Sequence, residues 1–341
     1  MTKYVKLNPD KPSSETKRTL DFLHRNVIGQ AEAVAEITDL VSIARAGLAD
    51  PNKPAGVFLL LGPTGTGKTH MVEKLSEALH GIPLLMKING GEFTNDHETA
   101  KILGAPPGYL GHRETQPLFT QKKINDKKTE KFPFTIILVD EIEKASPSLQ
   151  KVLLNIFDRA KLALGDGTEV NFSRCIFFMT SNLGAKELNR LLGGGMGIAP
   201  GTISTSAAHA GALTTTKKYF SPEFFNRIDK TITFQHLEHA DLLKILALEL
   251  NKVEVRGEGK FYLKPTPQVL EWLVTKGYDK EYGARHLRRA VEQHVTLPLA
   301  KCLNAGLVTR HAEVIMRISA DVIEFKVAAA HYGGYLEEEV F

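Results

Sequence analysis

The sequence predicts an α/β fold: a parallel five-stranded sheet covered by helices, followed by a smaller, mostly helical lobe with a short β-sheet. Short apolar runs alternate with segments of helical period, the pattern of a parallel sheet buried on both faces. A glycine-rich loop, "GPTGTGKT" at 62–69, stands between one such run and a helical segment. The composition then changes near residue 235, and the chain has 341 residues. A single core stops growing at roughly 250–300 residues, so two lobes are expected.

The elements follow in order. Residues 1–20 are polar, with Pro9 and Pro12, and residues 1–24 read as a loose lead-in. "AEAVAEITDLVSIARAGL", 31–48, has apolar residues at helical spacing, and "DPNKP", 50–54, ends it. Residues 56–81 read as a buried strand, the glycine loop and an amphipathic helix closed by Gly81. Further strands are expected in "PLLMKI" (83–88), "FTIILVD" (134–140), "RCIFFMTSN" (174–182) and "KTITF" (230–234). The charged run 122–131 reads as a solvated loop, and the low-complexity stretch 193–216 as a long mobile one. Residues 25–235 are thus expected to form the large domain. Residues 236–330 form the small one, with helices near 239–255, 266–276 and 284–304 and strands at 312–318 and 322–327. An acidic tail, 331–341, reads as a solvated end.

Composition narrows the function classes. With 43 basic and 39 acidic residues the formal charge is +4, too near balance to point to nucleic acid or an anionic membrane. Cys175 and Cys302 have no companions at metal-ligand spacing and read as reduced structural thiols. The N-terminal twenty residues lack the apolar core of a signal peptide. No stretch approaches the roughly 20 apolar residues a membrane span needs. A soluble, cytoplasmic protein is the expectation.

The loop carries the first chemistry. Gly62, Pro63, Thr64, Gly65, Thr66, Gly67, Lys68 and Thr69 fit G-x-x-x-x-G-K-[ST]. In such a loop the backbone N–H groups wrap a phosphate chain, the lysine reaches the terminal phosphates and the hydroxyl ligates Mg²⁺. ATP or ADP with Mg²⁺ is the expected cofactor. In "TIILVDEIEKA", 135–145, an apolar strand ends in Asp140 and Glu141. Carboxylates there face the crevice in which open α/β sheets bind ligands. Asp140 would hold Mg²⁺ and Glu141 would take a proton from the attacking water; acids after a strand also serve as helix caps. Glu143 reads as helix surface.

Several linked stretches resemble a known family: "VIGQAEAV" (27–34), "ARAGLADPNKPAGVFLLLGPTGTGKT" (44–69), "GAPPGYLG" (104–111), "VDEIEKA" (139–145), "TSNLGA" (180–185), "SPEFFNRID" (221–229) and "GYDKEYGARHLRRAVEQ" (277–293). Together they resemble the AAA+ ATPases, and within them the second ATPase module of the two-ring Clp unfoldases and disaggregases. The resemblance implies roles. Val27 and Ile28 would line the adenine pocket, though both also suit a core. Asn182 would orient the attacking water; a polar side chain ending an apolar strand could otherwise be a helix cap. Arg227 would reach into the neighbouring subunit's site; from sequence alone it reads as a surface ion pair. Arg285 would tie the small lobe to the nucleotide. Gly108, Tyr109, Leu110 and Gly111 would form a loop projecting into a central pore, with the ring of Tyr109 gripping polypeptide. The alternative is a tyrosine tucked against its own domain. A homo-oligomeric ring, a hexamer by family, is implied, acting on polypeptide substrates as an ATP-driven unfoldase or disaggregase.

The sequence also departs from the family. Where members carry a "Y-E-E-G-G-x-L-T" run, this chain reads "HRETQPLFTQ", 112–121, and the "R-I-D-M-S-E-F" type segment is "KINGGEF", 87–93. The N-terminal substrate domain and the first ATPase module are absent from the 341 residues, which leaves a natural single-ring form or a fragment. "MGI", 196–198, faintly matches the tripeptide with which some members dock a peptidase. Delivery to a peptidase or use of an adaptor, and nucleotide-gated remodelling without threading, are the alternative functions.

Overall fold

The computed structural model describes residue 8 and residues 12–104, 117–184, 205–278 and 283–328, with the backbone alone at 205–210 and 212. By internal contacts the chain divides into two units, residues 1–63 with 67–235, and residues 64–66 with 236–341.

The first unit opens with α1 (Ser14–Asn26) and α2 (Ala31–Arg45). The Ser13 hydroxyl caps α1 by accepting from the Thr16 N–H, and Leu23 is fully buried. The stretch expected to be a lead-in is therefore helical from Ser14 onward. Its polar composition hid an amphipathic helix that buries only Thr19 and Leu23. In α2 the buried positions Ala33, Val34, Ile37, Thr38, Val41 and Ala44 keep the 3–4 spacing of one helical face.

Next come β1 (Gly56–Leu61), α3 (Lys68–His80), β2 (Met86–Asn89), the short helices α4 (Ala100–Leu103) and α5 (Gln121–Asn125), and β3 (Thr135–Asp140). Gly81 ends α3 with φ 84°, a left-handed cap that glycine adopts without Cβ strain. The charged run expected to be a loop begins as α5, because Ile124 is fully buried. α6 (Pro147–Arg159) starts on a Ser146 cap with proline in its first turn. A hairpin that the sequence reading missed, β4 (Lys161–Ala163) and β5 (Glu169–Asn171), precedes β6 (Cys175–Ser181). Then follow α7 (Thr205–Tyr219), α8 (Pro222–Phe225) and β7 (Lys230–Thr233). The stretch 193–216 is thus not all loop: from Thr205 it is helix.

β2, β3, β6, β1 and β7 form one five-stranded sheet in that order, with every pairing parallel. Alternate residues feed two cores. Val57, Leu59, Ile137, Val139 and Phe177 pack on one face; Phe58, Leu60, Ile136, Leu138 and Phe178 pack on the other. Both faces are covered, which is why the strands read as unbroken apolar runs.

The second unit contains α9 (His239–Arg256), β8 (Phe261–Pro265), α10 (Pro267–Gly277), α11 (Arg285–Val291), a π-helical turn (Glu292–Thr296), α12 (Leu297–Asn304), β9 (Ala312–Ser319) and β10 (Val322–Lys326). β9 pairs antiparallel with β10 and parallel with β8. Its separate core includes Leu246, Leu273, Leu287, Val314 and Met316. β8 was not expected; its alternation, with Phe261 and Leu263 buried and Tyr262 and Lys264 exposed, is short and ends at Pro265.

Candidate active site

β1, β3 and β6 are neighbours and parallel, so their C-terminal ends open on one edge of the sheet. The residues following them are the glycine loop, Asp140–Glu141 and Asn182. Open α/β sheets bind ligands at this edge.

The loop's shape depends on glycine. Gly62 has φ 147°, and a Cβ there would lie 2.7 Å from the Phe234 carbonyl oxygen. Gly67 has φ 98° and leads directly into α3. That helix's first N–H groups and its positive end suit an anion. Lys68 is buried, and its ammonium donates to the carbonyl oxygens of Gly62 (2.6 Å) and Pro63 (2.8 Å) and to Asn182 Oδ1 (2.8 Å). Pro63 and Thr66 are buried, and Thr64 and Gly65 are partly so.

Asp140 gathers the hydroxyls. Its Oδ1 accepts from Thr69 Oγ1 at 2.9 Å and from Thr180 Oγ1 at 2.5 Å. Its Oδ2 lies 3.2 Å from the Lys87 ammonium. Burial by itself would raise this carboxyl's pKa; the bonds from Thr180 and Thr69 and the Lys87 charge outweigh it and hold the pKa below the ordinary value. Asp140 is therefore an anion at neutral pH. A carboxylate beside a hydroxyl is a hard-oxygen pair that suits Mg²⁺, an ion that keeps waters and takes phosphate oxygens for its other positions. Among the described residues no group of three or more His, Cys, Asp or Glu could form an all-protein metal cage.

Glu141 follows with φ 56°, left-handed and strained for a residue with a Cβ. Its N–H donates to Thr180 Oγ1 at 3.0 Å, and its carboxylate pairs with Lys144 at 2.8 Å. Gly90 makes the bend feasible: a Cβ there would lie 2.4 Å from the Glu141 carbonyl oxygen. The paired glycines of "KINGGEF" were the available signal; in the sequence the segment stood out only as a departure from the family run.

Other expected residues stand elsewhere. Val27 is buried in the core beside α1, and Ile28 is partly buried. Between them and β7, the buried Gln30 donates to the Gln235 carbonyl (2.9 Å) and accepts from its N–H (3.0 Å), a clamp not foreseen from the sequence. Arg227 makes an ion pair with Asp158 at the end of α6. Arg285 is the exposed first residue of α11, in the second unit. Gly108, Tyr109, Leu110 and Gly111, and the stretch 196–198, lie outside the described residues.

Residues 53–231 match the family model for the AAA domain (Cdc48 subfamily). This chain belongs to the AAA family of ATPases. Residues 237–316 match the model for the C-terminal, D2-small domain of ClpB protein. Similar relatives carry the name chaperone protein ClpB. That of Pseudomonas putida is 35% identical over 89% of this chain and 34% of its own length. Those of Chlamydia trachomatis (36%; 90% and 34%) and Oceanobacillus iheyensis (35%; 88% and 37%) are alike. The chain thus spans about a third of the length of the curated relatives it matches. No helix among the described residues is long and apolar enough to cross a membrane.

Proposed function

We propose that this AAA chain is an ATP-driven motor of the Clp type, an unfoldase or disaggregase working as a ring, a hexamer by family. The observation that carries the reading is the sheet edge at which hydrogen bonds join Lys68 to Asn182 and, through Thr180, join Thr69 and Asp140 to the Glu141 N–H. The ClpB names of its relatives supply the substrate class, polypeptide.

Thr69 and Asp140 would hold Mg²⁺, which when bound neutralises charge on the β- and γ-phosphates. Lys68 would exchange its loop carbonyls for phosphate oxygens as nucleotide enters. Glu141, at the bend after β3, would accept the proton of the attacking water, and Asn182 would orient that water. Val27 and Ile28 would wall the adenine, Arg285 would report nucleotide to the small lobe, and Arg227 would exchange Asp158 for a neighbour's phosphate. Tyr109, flanked by Gly108 and by Leu110 and Gly111, would grip the threaded chain: an amphipathic, unreactive ring suits any sequence.

Tyr109→Ala tests the reading. ATP hydrolysis should stay within about twofold of wild type while unfolding of a fluorescent substrate protein is lost. Unfolding that survives the substitution would point to remodelling without threading.

A further inference from the structure

We infer that Glu143 is a positioning residue for hydrolysis, an inference that rests on the reading of Asn182 as the group that orients the attacking water. Glu143 lies in the 3-10 turn Ile142–Lys144 rather than on a helix surface. Its Oε1 accepts from the backbone N–H of Asn182 at 3.2 Å. Its own carbonyl oxygen accepts from the Tyr219 hydroxyl at the end of α7.

The first of these bonds falls where the sheet stops helping. β6 ends at Ser181, whose register partner Leu61 is the last residue of β1. The next N–H, on Asn182, lies beyond the ladder, and a carboxylate supplies its acceptor. A charged acceptor makes a stronger bond than a neutral one. On the other side of Ser181, Thr180 Oγ1 accepts from the Glu141 N–H. The turn after β3 is therefore fastened to the end of β6 at two points. One lies at the general base and the other at the residue whose side chain meets Lys68. Together the two bonds set the spacing between Glu141 and Asn182.

The carboxyl is a costly way to hold a turn. Glu143 Oε2 is buried with no hydrogen-bond partner among the described residues, and burying an unpaired polar atom opposes folding. The bond to the Asn182 N–H offsets part of that cost and fixes where Asn182 stands.

The test measures ATP affinity with a fluorescent nucleotide, kcat by phosphate release, and melting temperature. The variants are Glu143→Ala, Glu143→Asp, Glu143→Gln, Asn182→Ala and the Glu143→Ala/Asn182→Ala pair. Glu143→Ala is expected to lower kcat about tenfold or more through misplacement of Asn182, with affinity within about twofold of wild type. Glu143→Gln, whose amide oxygen still accepts, restores most of the rate. Glu143→Asp, one methylene short, stays slow and covers the case in which the alanine variant does not fold. In the Asn182→Ala background, removing Glu143 costs nothing further. A wild-type kcat for Glu143→Asp, or losses that multiply in the double variant, overturns the inference while the reading of Asn182 stands. A wild-type kcat for Asn182→Ala overturns that reading and the inference together.

Discussion

Glu141 is set apart from its neighbours by its backbone. Its left-handed φ of 56° turns the chain sharply at the end of β3, and the adjacent carboxylates meet different neighbours. Asp140 stays anionic among two hydroxyls and an ammonium. Its pKa is depressed, so the stability it contributes is present above the ordinary carboxylate range and is lost only as pH falls through the lowered value. Protonation of Asp140 should therefore not limit Mg²⁺-nucleotide binding at neutral pH. Glu141→Gln keeps the size and the backbone bond to Thr180 but removes the proposed base. Hydrolysis should fall by about 100-fold or more, while nucleotide binding persists; parallel binding and turnover assays check this. The types and spacing of Lys68, Thr69, Asp140 and Glu141 were legible in the sequence, because a strand followed by a phosphate loop or by paired acids is a local pattern. Gln30, Gly90 and the hold of Glu143 on Asn182 were not. Each depends on a partner brought in by the sheet.

At the scale of elements, α3 carries the phosphate loop at one end and a buried histidine at the other. His80 Nδ1 bonds Thr129 Oγ1 at 3.1 Å, and the ring packs edge-on against Phe132. Burial, with the Lys131 charge, lowers its pKa to about 4. A base with a depressed folded pKa leaves the unfolded chain to take up the proton first. Stability from this site is thus complete above the ordinary histidine pKa of roughly 6.5, and it declines as pH falls toward about 4. His80→Gln removes the titration while retaining polar atoms. The drop in melting temperature between pH 7 and pH 5 should shrink in this variant; an unchanged drop would show that other groups set the acid limb. The strands were legible because both faces are buried and their runs are unbroken. α1, β8 and the β4–β5 hairpin were not, because each of these elements buries only one or two residues.

For the whole molecule, each unit has a core of its own, yet the proposed chemistry asks for more than one chain. Arg227 pairs with Asp158 on the same subunit, the exposed ion pair its residue type suggests. Such pairs contribute little, with a typical range of about 0–1 kcal/mol, so exchange for a phosphate is energetically cheap. Arg227→Ala should leave nucleotide-dependent assembly intact, as read by mass in solution, and lower ATP turnover by about a thousandfold. Wild-type turnover in the variant, or a chain that stays monomeric with nucleotide while hydrolysing it at full rate, would remove the shared site from the proposal.

The fold class, the phosphate loop, the paired acids and the strands that carry them were all legible in the chain. These follow from periodicity and from spacing within a few residues, where the physics is local. Tertiary structure decided which distant groups meet: Lys68 with Asn182, Thr180 with Asp140, Glu143 with the Asn182 amide. The strand order β3-β6-β1 sets those meetings. That order joins strands far apart in the chain, and no window of sequence contains it.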